Sequence, residues 1–153
     1  AMVLFSLVMY ATGNLLEPHW SGSLITSAMF IGIVVWGIKS FKSENGGFLS
    51  WGQGVKIGVG IAILAGLINV VYTYVLMNFI EPDLMNQMME VQNQMYIDAG
   101  MTEEQIENTN EMSKKFQSPG ITAAMGIIAY AIGGFIVSAI GAAIMKKSEE
   151  NQY

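Results

Sequence analysis

Apolar runs separated by short polar breaks make up most of the chain, and a single long polar segment, residues 83–117, divides the last run from the rest. The most regular run is Gly52 to Ile80. Within it Gly54, Gly58, Ala62 and Gly66 recur at every fourth position. That spacing puts all four on one stripe of a helix, where a neighbouring backbone can approach closely. Asn69 and Thr73 carry the stripe onward with groups that can hydrogen-bond where water is scarce. The last apolar run repeats the theme with Gly126, Gly134, Ser138 and Ala142, broken by Tyr130 and flanked by Gly133 and Gly141. A stripe of this kind alone reads as a helix-dimer signature; with a matching one in the same chain, packing of the two runs within one subunit is the first expectation.

The periodicity predicts four membrane spans, since crossing a bilayer takes about 20 apolar residues. Residues 1–12 are apolar, but twelve residues of helix reach only about 18 Å of a core about 30 Å thick. This run is expected to be the end of a longer span that begins upstream; a cleaved signal peptide is the rival reading. The second span is expected over 23–38, with Trp20 before it and Trp36 near its far end as interfacial anchors. Lys39, Lys42 and Glu44 then mark an aqueous side, and Asn45, Gly46 and Gly47 break the helix. Phe48, Leu49 and Trp51, interleaved with polar residues, predict a short interfacial turn leading into the third span at 57–80, which Pro82 stops. Lys56 can snorkel back to the headgroups. Ser118 as cap and Pro119 at the first helical position open the fourth span, 121–145.

The polar segment reads as two helices in a hairpin. Leu84, Met88, Val91 and Met95 share one face at heptad spacing, and Gly100 is a C-terminal cap. Thr102 caps the second helix and Gln105 reaches back to it as a capping box. Glu103 and Glu104 suit the first turn, and Lys114 and Lys115 the last. Ile106, Met112 and Phe116 form a weaker apolar side. The expected fold is therefore all-α: one membrane domain over residues 1–153, an integral four-helix bundle with an extracytoplasmic amphipathic helical hairpin between spans three and four.

Composition narrows the function classes. Of 153 residues, 52% are hydrophobic and only 12% charged, about half of the roughly 25% usual in soluble domains, so a soluble fold is a poor reading. There is no cysteine and one histidine, His19, which removes thiolate and multi-histidine metal sites. The seven basic residues are all lysines. Without arginine, nucleic-acid binding and bidentate phosphate recognition are disfavoured. Net charge is −5, unevenly spread. Lys39, Lys42, Lys56, Lys146 and Lys147 flank apolar runs on what is predicted to be one side, cytoplasmic by the positive-inside rule, whereas most acidic residues lie between Glu81 and Glu111 and face outward. Pro18, Pro82 and Pro119 then fall at the outer boundary.

Candidate chemistry is sparse. Asn69, Tyr72, Tyr130 and Ser138 can line a conduction or solute path, but an interhelical hydrogen bond of about 1 kcal/mol is the ordinary role of such groups at membrane depth. No Asp, Glu, Lys, Arg or His lies inside a span, which disfavours a proton relay, voltage sensor or ion-coupled transporter. Glu17 and His19 can pair as acid and base or bind a metal, yet two ligands without a third make a solvated loop the better reading. Glu103, Glu104 and Glu107 can attract calcium, although acidic residues in a capped first turn need no ion to explain them. Seven methionines between Met77 and Met112 offer an adaptable partner-binding surface, with Leu84, Met88, Val91 and Met95 as its contact face.

Several segments resemble a known family: KSENGGFLSWGQGVK from Lys42 to Lys56, GVGIAILAGLI after it, EPDLMNQMMEVQNQM, GMTEEQIE, KKFQSPG and the terminal GAAIMKK. Together, from about Gly32 onward, they are similar to the uncharacterised four-span membrane proteins of Bacteroidota grouped as domain of unknown function 4199. The first span is shorter than that family's pattern. The resemblance implies an inner-membrane location in a Gram-negative cell and no activity, substrate or catalytic residue. The functional expectation is a non-enzymatic accessory or scaffold subunit of an inner-membrane complex, docking through the Met-rich hairpin and the glycine-striped spans. The expected partners are membrane lipid and other subunits or further copies of itself, with no cofactor, metal or nucleic acid. The alternative is a small oligomeric pore or lipid or solute carrier. An intramembrane enzyme ranks below both, because no nucleophile and base pair sits at membrane depth.

Overall fold

A computed structural model describes residues 2–13, 20–116 and 118–147, and these are almost entirely helical. The helices are α1 (Met2–Ala11), α2 (Trp20–Glu44), α3 (Trp51–Val75), α4 (Leu84–Asp98), α5 (Glu103–Phe116) and α6 (Pro119–Met145). α3 runs on into a five-residue π-helical turn, Leu76–Ile80, closed by the Glu81 N–H donating to the Leu76 carbonyl at 2.7 Å. Three stretches are long and apolar enough to cross a membrane: Ser21–Glu44, Trp51–Ile80 and Gly120–Met145. α1, with ten residues, is the shorter apolar helix beside them.

The spans are longer than the apolar runs at 23–38, 57–80 and 121–145. α2 continues through Lys39, Lys42 and Glu44, because polar side chains do not end a helix unless the backbone turns. The backbone turns at Gly46 and Gly47, both at positive φ, with the Gly47 N–H returned to the Lys42 carbonyl at 2.8 Å. α3 begins at Trp51 rather than near Ile57. Ser50 accepts from the Gln53 N–H at 3.2 Å while the Gln53 amide oxygen accepts from the Ser50 N–H at 2.9 Å, a complete capping box that holds the helix start before the apolar run begins. The interfacial turn expected at Phe48 to Trp51 is thus partly first helical turn. Leu49 is buried there, and Trp51, half exposed, donates its indole N–H to the Ala139 carbonyl at 3.1 Å.

α3 and α6 share the most extensive interface, and α2 packs on both. Val34, Ile38 and Leu49 form the buried centre at one end of this three-helix unit, with Phe30, Phe41, Ile57, Ile61, Val137 and Met145 against it. The same end gathers the lysines. Lys42 Nζ donates to the Met145 carbonyl at 2.7 Å, capping α6. Leu49 and Lys147 exchange two backbone hydrogen bonds of 3.0 and 2.9 Å, and Lys147 Nζ stands 5.7 Å from the centre of the Phe48 ring. The loop between α2 and α3 and the end of α6 are therefore one structural unit. Away from the core, Trp36, Leu64, Ile68, Val71, Ile128, Ile132, Ile140 and Ile144 are exposed, an apolar exterior suited to lipid rather than water.

Candidate functional site

The two small-residue stripes meet in one antiparallel seam between α3 and α6. A Cβ added at Gly54 would lie 2.5 Å from that of Ala142. One added at Gly58 would overlap Ser138, and one added at Gly134 would overlap Ala62. Further along, Gly66 faces Tyr130, whose Cβ would be 3.1 Å away, and Gly126 faces Val70 at 4.0 Å. Each advance of four residues along α3 is matched by a retreat of four along α6. Every level of the seam contains one glycine opposite one larger side chain. Small residues let the backbones close in, so the seam gains dispersion contacts along its length.

Tyr130, which interrupts the stripe in sequence, fills the space that Gly66 leaves. Its ring also meets Phe30 of α2 edge-on, with centroids 5.5 Å apart. Ser138 is fully buried, and its hydroxyl donates to the Phe135 carbonyl of its own helix at 3.2 Å. Gly37 of α2 is a packing position that the sequence reading missed: a Cβ there would overlap Ile61. A glycine inside an apolar span was the available signal.

The four residues considered for a path make different contacts. Tyr130 and Ser138 lie in the α3–α6 seam. Tyr72 turns instead toward α1, its hydroxyl donating to Ser6 Oγ at 3.0 Å. Asn69 is half-buried, and its side chain makes no hydrogen bond among the described residues. A second contact holds α1 at its other end: the Tyr10 hydroxyl donates to Glu81 Oε2 at 2.9 Å, while Glu81 Oε1 accepts from Gln87 Nε2 at 3.1 Å. Ser6, Tyr10 and Glu81 were not singled out in sequence, because nothing local places α1 beside the end of α3.

The polar segment folds as α4 and α5 with Gly100 at φ 82° between them. The Thr102–Gln105 capping box is complete: Thr102 N–H donates to Gln105 Oε1 at 2.9 Å, and Gln105 N–H to Thr102 Oγ1 at 3.3 Å. Of the expected contact face, Leu84 is buried and Val91 half-buried, whereas Met88 and Met95 are exposed at 47% and 55%. Ile97, Met112 and Phe116 are exposed as well, and Ile106 is buried. Asn110 Nδ2 donates to Asn93 Oδ1 at 2.9 Å, linking the two helices. Beside that link lies a groove of about 340 Å³ with Ile97 and Ile106 in its wall and Glu103, Glu107, Glu111 and Lys114 along α5. Among the described residues, no three His, Cys, Asp or Glu side chains are grouped to hold a metal ion, Glu103, Glu104 and Glu107 included. Glu17 and His19 lie outside the described residues.

Membrane-length helices joined along a close glycine seam, with amphipathic helices at one junction, define a helical membrane protein. The chain belongs to the family described as Protein of unknown function (DUF4199), which it matches over residues 1–147. The match begins well before Gly32 and takes in the N-terminal helix. No curated protein and no solved structure matches the chain.

Proposed function

We propose that the protein is a non-enzymatic accessory or scaffold subunit of an inner-membrane complex, docked through the helical hairpin that α4 and α5 form. The observation that carries this reading is the exposed apolar set Met88, Met95, Ile97, Met112 and Phe116 on two helices that carry half of the chain's acidic residues. On a water-facing hairpin such side chains are worth covering, and methionine adapts to many partner surfaces. The small-residue seam supports a scaffold role, since it packs α3 and α6 closely along their length. In this reading α1 belongs to a fourth span, the C-terminus and the α2–α3 loop are cytoplasmic, the hairpin is periplasmic, and the cell is a Gram-negative member of Bacteroidota. The clustered lysines support that orientation. Native mass analysis of the chain extracted from its own membrane in mild detergent tests the proposal; a stoichiometric partner is expected, and a chain that always runs alone overturns it.

The second reading, a small oligomeric pore or a lipid or solute carrier, draws on the polar contacts along α1. Ser6 with Tyr72 and Tyr10 with Glu81 form two polar contacts along α1, and the Asn69 side chain makes no hydrogen bond among the described residues. Flux in reconstituted vesicles that survives Asn69→Leu unchanged removes that motivation.

A further inference from the structure

The groove between α4 and α5 is one-sided in charge as well as partly apolar. Glu103, Glu107 and Glu111 recur at every fourth residue along its α5 wall, with Lys114 as the single lysine beside them, and Ile97 and Ile106 supply the apolar part. The surroundings reinforce the sign: residues 81–117 carry eight acidic side chains against two lysines. We infer that this groove receives a cationic amphipathic helix from a partner protein, its apolar edge against the exposed Ile97 over the buried Ile106 and its lysines or arginines against Glu103, Glu107 and Glu111.

Charge decides among the occupants. A second copy would bring the same acidic wall, and like charges facing one another at an interface are disfavoured. An anionic bilayer surface is repelled for the same reason. A helix bearing basic residues at three- and four-residue spacing meets the carboxylates in register, since both sides then repeat about every turn. From Glu103 to Lys114 the wall is about 16 Å long, which matches about three turns of helix. Electrostatic attraction of this kind speeds encounter and selects the partner, while the apolar contacts hold it.

The inference rests on the docking role proposed above and adds the chemistry of the partner. Its test uses the full chain in zwitterionic nanodiscs and a synthetic amphipathic Leu/Lys peptide of about four turns. A Leu/Glu peptide of the same pattern and empty nanodiscs serve as controls. The cationic peptide is expected to bind loaded discs above the empty-disc background. Binding should fall about tenfold or more in the variant E103K/E107K/E111K, and to a smaller extent in E103Q/E107Q/E111Q. All three sites are exposed, so both variants are expected to stay folded, the lysine variant melting slightly lower because it reverses the charge in the first turn of α5. Equal binding of the acidic peptide, binding indifferent to the glutamate changes, self-association of loaded discs, or no binding above empty discs overturns the inference. A separate outcome distinguishes the two proposals: if a stoichiometric native partner stays with E103K/E107K/E111K, docking stands and the cationic partner falls.

Discussion

Gly58 of α3 and Ser138 of α6 are in such close register that a Cβ on the glycine would occupy the space of the serine's own. Both are buried, and the backbone on either side belongs to a membrane-length helix. Relief therefore requires moving a whole helix. Gly58→Ile and Gly134→Ile are each expected to destabilise a single subunit by about 3 kcal/mol or more, since overpacking a fitted core costs about 1–3 kcal/mol even where neighbours can shift. Thermal melting in detergent measures this. Gly60→Ala is the control: nothing lies within 4 Å of its added Cβ, so the change is expected to be neutral or mildly stabilising. Separation of intact subunits by Gly58→Ile, without unfolding, would mean that the stripe joins different chains.

Ser138 separates the effect of size from that of polarity. Its hydroxyl bonds within its own helix, so Ser138→Ala removes no interhelical hydrogen bond and is expected to cost under about 1 kcal/mol. Ser138→Val adds volume against Gly58 and is expected to cost several times more. Similar melting temperatures for the two variants would contradict the seam geometry.

Tyr130 fills the Gly66 level and meets Phe30. Tyr130→Ala is expected to lose about 3–5 kcal/mol by leaving a cavity, while Tyr130→Phe keeps the ring and changes stability little. Denaturation of the two variants side by side checks the order; a larger loss in the phenylalanine variant would assign the hydroxyl a role the packing does not give it.

Lys42 caps the end of α6 from across the loop. Lys42→Met keeps most of the side-chain bulk and removes the donor, with an expected loss of about 1 kcal/mol or more. Hydrogen exchange reads it locally. The Lys147 amide, bonded to the Leu49 carbonyl, is expected to exchange faster, while amides in the middle of α3 stay protected.

α1 is held to α3 and to the start of α4 by the Ser6–Tyr72 and Tyr10–Glu81 contacts. The double change Tyr10→Phe and Tyr72→Phe removes both donors and is expected to free α1 by about 1 kcal/mol for each bond. Spin-label distances between α1 and α3 should broaden while α3–α6 distances hold. Unchanged distances would show that apolar contact alone secures α1.

Local order along the chain was enough to read the helical class, the long apolar helices, the caps at Thr102, Gly100 and Ser118, and the membership of two facing stripes. Each depends on neighbours within one or two turns, through hydrogen bonds and spacing that a sequence carries explicitly. The Ser50–Gln53 box is equally local, a serine three residues ahead of a glutamine as at Thr102 and Gln105, and it marks the start of α3. What required the tertiary structure was axial offset. Spacing shows which residues share a face of α3 and of α6, but sliding one helix by a turn would preserve both stripes and change every pair. The contacts along the whole seam select the offset that sets a glycine against each larger side chain, and this turns Tyr130 from an interruption into the partner of Gly66. The contacts of Tyr10 with Glu81 and of Lys42 with Met145 are of the same kind, joining residues 71 and 103 positions apart that only the packed helices bring within reach.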